Sequence, residues 1–76
     1  MSLTTEQQSA VRLIARRSIE LARNMHALSI REAAIRTAEA TALARAQREH
    51  WPPVTLGQAH QFAREEVERL LDGDNA

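Results

Sequence analysis

The stretch SIREAAIRTAEATALARAQREHW, residues 29–51, decides the fold. Ser29 followed three residues later by Glu32 is a capping box, in which the hydroxyl accepts from the N3 amide and the glutamate reaches back. Seven of the fourteen residues from 33 to 46 are alanine, the residue with the highest intrinsic helix propensity. Ile30, Ala34, Ala38, Ala42 and Ala46 recur every four residues, with Ile35 and Leu43 at the flanks. Such a ridge of methyl groups lets helix axes approach more closely than bulky side chains allow. It cannot form a core alone, so the remaining chain, or a second copy of it, must press against it. Trp51-Pro52-Pro53 ends the segment, because the residue before a proline is driven out of helical geometry.

Upstream, Thr4 or Thr5 opens a first helix with Glu6 in its first turn, where a negative charge suits the helix dipole. Val11, Ile14, Ser18, Leu21, Met25 and Leu28 follow at alternating spacings of three and four, the pattern of a seam facing another helix. Leu13 and Ile19 fall off that seam and suggest a second contact surface. Ser29 restarts the helical signal just after Leu28, with Asn24 and His26 as poor helix formers nearby. A hairpin turning near residues 26–29 is therefore preferred to one continuous helix of about 45 residues, which would need the seam to continue past Leu28. Downstream, Thr55-Leu-Gly-Gln58 reads as another capping box. The third helix carries Leu56, Ala59, Ala63, Val67 and Leu70 on one stripe, with Phe62 and Leu71 at its edges, and Asp72-Gly73 reads as its C-cap. The expected architecture is one all-α domain over residues 1–76: a three-helix bundle with helices at about 5–27, 30–50 and 56–71, and a frayed tail at 72–76.

The totals narrow the function. A chain of 76 residues without cysteine has neither disulfides nor thiolate zinc to support a small core. No apolar run approaches the roughly 18–20 residues needed to cross a bilayer, and the N-terminus lacks a secretory pattern, so a cytoplasmic location is expected. Ten arginines balance ten acids, and lysine is absent. The balance is uneven along the chain: residues 52–76 carry two arginines against five acids, while the two earlier segments are mildly basic.

Catalysis has little support. No Cys, Tyr or glycine-rich phosphate loop is present, and His26, His50 and His60 lack the regular spacing of a metal shell. No cofactor and no metal are expected, and the histidines read as capping or surface residues. Arg45-Ala-Gln-Arg-Glu-His50 resembles the Arg…His pattern of HEPN-type ribonucleases, which implies RNA phosphodiester cleavage by that pair. Leu28-Ser-Ile-Arg-Glu-Ala-Ala34 resembles the first helix of helix-turn-helix DNA-binding domains, which implies a turn within a few residues and a nucleic-acid partner. The segment that follows, Ile35 to Leu43, instead keeps its helix propensity.

The expected function is a non-enzymatic interaction module or regulator that self-associates and binds a macromolecular partner, a protein in the first place, with a helix-turn-helix-like nucleic-acid-binding regulator as the alternative and a HEPN-like ribonuclease as the remote one. The residues expected to meet a partner are Leu13 and Ile19, the helix-one arginines Arg12, Arg16 and Arg23, Trp51, and the acidic Glu65 and Glu68.

Overall fold

The alanine segment forms helix α2, Ile30–Arg48, and turns its alanine face into the core. Ser29 Oγ accepts from the Glu32 N–H at 3.2 Å, which closes half of the expected box. Ala34, Ala38, Ala42 and Ala46 are all wholly buried. The computed structural model describes residues 2–74 and packs α1, Thr5–Asn24, and α3, Leu56–Asp74, against this ridge and against each other. Each helix touches both others. Helices of 19–20 residues are about 29 Å long, which accounts for most of the 34 Å long dimension.

The core is built of small parts. Its largest fully buried side chains are Val11 and Val67, and around them lie Ile14, Ala15, Ile19, Ala22 and Ala63. Bulkier residues such as Ile35, Trp51, Phe62 and Leu70 seal its edges while half-buried. Thr4 starts α1 with a complete capping box: the Gln7 N–H donates to Thr4 Oγ1 at 3.1 Å, and the Thr4 N–H donates to Gln7 Oε1 at 2.9 Å.

The buried face of α1 departs from the expected seam. Val11, Ile14 and Ser18 are inside together with Ala15 and Ala22, which widen the same face, but Leu21, Met25 and Leu28 are exposed and Ile19 is buried. A strict seven-residue repeat drifts by roughly 20° per heptad on a straight helix of 3.6 residues per turn. That drift amounts to only about 50° over α1, whereas Ile19 and Leu21 lie about 160° apart around it; Met25 and Leu28 are exposed because α1 ends at Asn24, and Ile19 is inside beside Leu70 of α3. Ile19, expected on a partner surface, is only 5% exposed and belongs to the core.

Both corners close without glycine. After α1 the His26 N–H donates to Arg23 O at 3.1 Å and the Ala27 N–H to Ala22 O at 3.1 Å. After α2 the His50 N–H donates to Gln47 O at 3.3 Å and the Trp51 N–H to Ala46 O at 2.8 Å. This pair of bonds is the Schellman arrangement, in which the residue past the cap takes a left-handed conformation. Those residues are His26, with φ 54°, and His50, with φ 58°. Histidine is among the few side chains enriched there, although glycine is the usual occupant. The residue after each histidine, Ala27 or Trp51, packs on the core. Because the His50 side chain is exposed, His50→Gly is expected to stabilise the fold by about 0.5–1 kcal/mol, the left-handed strain relieved less the added freedom of the unfolded chain. Urea unfolding reads this as a higher midpoint at constant slope; a lower midpoint would mean that the imidazole makes a stabilising contact.

Two other local expectations are corrected. Pro52 and Pro53 start a 3-10 turn, Pro53–Thr55, that runs directly into α3, so Thr55 is already inside the turn. Its hydroxyl donates back to Pro52 O at 2.7 Å, and no Thr55–Gln58 box forms. At the other end α3 passes through Gly73 to Asp74, and no described glycine takes a positive φ. Asn75 and Ala76, expected in the tail, lie outside the described residues.

Candidate functional site

The exposed end of the expected α1 seam borders a groove between α1 and α2. Leu21 is 47% exposed and Met25 70% exposed, and Leu28 stands fully in solvent at the corner. A cavity of about 320 Å³ runs between Ile14, Arg17 and Leu21 of α1 and Thr37, Thr41, Ala44 and Arg48 of α2. A second, of about 220 Å³, continues from Leu21 and Thr37 past Met25 to Ala33 and Arg36. The two share Leu21 and Thr37, so they form one trough along both helices.

The sequence explains the shape. On α2 the residues beside the buried ridge are Ala33, Thr37, Thr41 and Ala44, too short to fill the angle between two helices. On α1 the facing residues are Ile14, Arg17, Ser18, Leu21 and Ala22, continued by Met25 at its cap. Ser18 contributes little polarity, because its hydroxyl donates to Ile14 O at 2.8 Å within its own helix.

The rim is positively charged. Arg17, Arg36 and Arg48 are exposed and form no ion pair among the described residues, and no carboxylate lines either cavity. The Glu32–Arg36 pair that i,i+4 spacing suggests is not formed. Arg45, also on the groove wall, lies 2.6 Å from Glu49 Oε2 through its Nε, but that nitrogen makes no hydrogen bond. Its charge is balanced locally without directional bonding.

The α3 side is ionically closed. Glu66 is buried, with its side chain 7% exposed, and accepts from Arg69 Nε at 3.0 Å and Arg69 Nη2 at 2.9 Å. Arg12 approaches the same carboxylate at 3.4 Å from α1, and its guanidinium lies 5.5 Å from the centre of the Phe62 ring. The hydrogen bonds from Arg69 hold the Glu66 carboxyl below its ordinary pKa against the opposing effect of burial, with the charges of Arg69 and Arg12 adding to them. Arg31 bridges to Asp72 at 2.9 Å and Glu68 at 3.8 Å, and Glu68 also meets Arg64 at 3.1 Å.

The residues expected at a partner surface are thus scattered. Arg12 and Glu68 are engaged within the chain, Ile19 is in the core, and Trp51 packs half-buried against that core. Arg16 and Arg23 border a small cavity of about 160 Å³ beside Ile19 and Leu70. Glu65 accepts from Gln61 at 3.2 Å on the outer face of α3, and Leu13 is exposed among polar neighbours. The trough residues Arg17, Leu21, Met25, Arg36 and Arg48 were not expected to form a site. The Ala/Thr flank of α2 was the available signal.

The segments that carry the two family resemblances lie in and beside α2. Arg45 is held by Glu49, and His50 forms the left-handed corner after α2. Helix α2 runs unbroken from Ile30 to Arg48, across the place where a helix-turn-helix needs its turn. His60 Nε2 lies 3.3 Å from Glu39 Oε2 and bridges α3 to α2. Among the described residues no group of three His, Cys, Asp or Glu could hold a metal ion, and no helix is long and apolar enough to cross a membrane. Compared with family models, curated proteins and solved structures, the chain gives no significant match.

Proposed function

We propose that this chain is a non-enzymatic interaction module that binds a protein partner through the α1–α2 trough. The carrying observation is the continuity of Leu21 and Met25, large and exposed, with a cavity that no part of the chain fills. Exposed apolar side chains scattered singly are ordinary, whereas those lining a concavity favour a binding surface. The expected self-association is not carried into this reading. Of the pair Leu13 and Ile19 that suggested a second contact surface, Ile19 is committed to the core and Leu13 is exposed.

The test is affinity capture under crosslinking, comparing the native chain with a Leu21→Ser, Met25→Ser double variant. Both positions are exposed, so the variant should keep its helical circular dichroism. Proteins bound by the native chain and lost by the variant are the expected result. An identical set retained by both would remove the trough as the binding surface. Sedimentation of the native chain at micromolar concentration should show a monomer; a stable dimer would restore self-association.

A further inference from the structure

We infer that the trough receives an acidic amphipathic helix of a different protein, which would lie along α1 and α2 as the fourth member of a bundle; this rests on the trough being the binding surface. Three observations select that occupant. The walls are two helices joined by a short corner, and the described residues contain no strand edge to which an extended peptide could add. The floor is Leu21, Met25 and the short Ala/Thr side chains of α2, which gain from burying apolar side chains at helical spacing. The rim is Arg17, Arg36 and Arg48, charged, exposed and unopposed by any lining carboxylate. Between Ile14 and Met25 the trough spans about 17 Å, room for roughly three turns of a docked helix.

The same observations turn away two other occupants. A second copy offers no acidic helix with an exposed apolar stripe: the exposed residues of α3 are polar or glycine, and its apolar residues are buried or half-buried in the bundle. Two troughs face to face would set arginine against arginine. A nucleic-acid backbone would satisfy the arginines but leave Leu21 and Met25 in water, and the chain as a whole carries no net positive charge.

The experiment uses the full chain and two designed helical peptides with the same leucine stripe, one flanked by glutamates and one by lysines, followed by fluorescence anisotropy. The acidic peptide should bind about tenfold or more tightly than the basic one, and less tightly as salt rises. The Arg17→Ala, Arg36→Ala, Arg48→Ala variant should lose that preference, and Leu21→Ser should weaken both peptides. None of these arginines makes an ion pair among the described residues, so the triple variant should keep the native circular dichroism. Equal binding of the two peptides would overturn the inference, as would acidic binding that survives the triple variant. Binding of random duplex DNA that needs the arginines but not Leu21 would overturn it in favour of nucleic acid. If both peptides fail while capture still depends on Leu21 and Met25, the trough stands as a binding surface and only its occupant is wrong.

Discussion

Ala38→Leu is expected to destabilise the bundle by about 1–3 kcal/mol, a fall in Tm on the order of 10 °C for a domain of this size. Ala38 is wholly buried at the middle of the ridge, between Ala34 and Ala42, where α2 meets the core. The surrounding core offers little accommodation: Val11 and Val67 are stiff β-branched side chains, and the remaining neighbours are largely alanines that cannot change rotamer. The extra carbon atoms must separate the helices or distort their own rotamer. Ala40→Leu is the control, since Ala40 is exposed on the same helix and leucine has nearly the same helix propensity. It should change stability by less than about 0.5 kcal/mol. If thermal melts show Ala38→Leu equal to its control, the ridge is not closely packed.

Glu66→Gln is expected to cost about 1–2 kcal/mol near neutral pH. The glutamate accepts from both Arg69 nitrogens and pairs with Arg12, tying α1 to α3 at a side chain that is almost fully buried. A glutamine keeps one acceptor oxygen but turns an NH₂ group toward a guanidinium, placing donor against donor. The cost is held down because both arginines are at least half exposed and can turn to water. The pH dependence is a second readout. The folded-state pKa of Glu66 is lowered, so its contribution is fully present above the ordinary value of 4.5 and is lost as pH falls through the folded-state value. The stability gap between native chain and variant should therefore be constant above about pH 5 and narrow in acid. A gap that stayed constant down to pH 2 would show that the carboxylate charge is not what Arg12 and Arg69 stabilise.

The helices were legible because their signals are local. Alanine density, the serine cap at Ser29 and the Trp51-Pro52-Pro53 corner act within a few residues of where they are written. The rotational setting of α1 was not legible in the same way. Whether Leu21 or Ile19 points inward depends on where α3 lies, and that is a tertiary fact. The turn chemistry was only half legible. Gly73 offered the familiar composition for a left-handed cap and remains helical, while His26 and His50 took that conformation at two corners the chain had to close. Nothing in the run Glu65-Glu66-Val67-Glu68 singles out Glu66. Its burial follows from Arg12 reaching across from α1, a partnership separated by more than fifty residues.

The unopposed arginines of the trough also decide how the molecule behaves before it touches anything. Helices α1 and α2 each carry four arginines against two glutamates, while α3 carries two arginines against five acids. The charges cancel in total, so a distant ion of either sign feels almost no pull. Near the surface the molecule is a dipole, positive along the trough and negative on the α3 side. Its field therefore turns rather than draws, and at physiological salt it acts within about 8 Å. An approaching anionic surface meets the trough first because the protein rotates to present it.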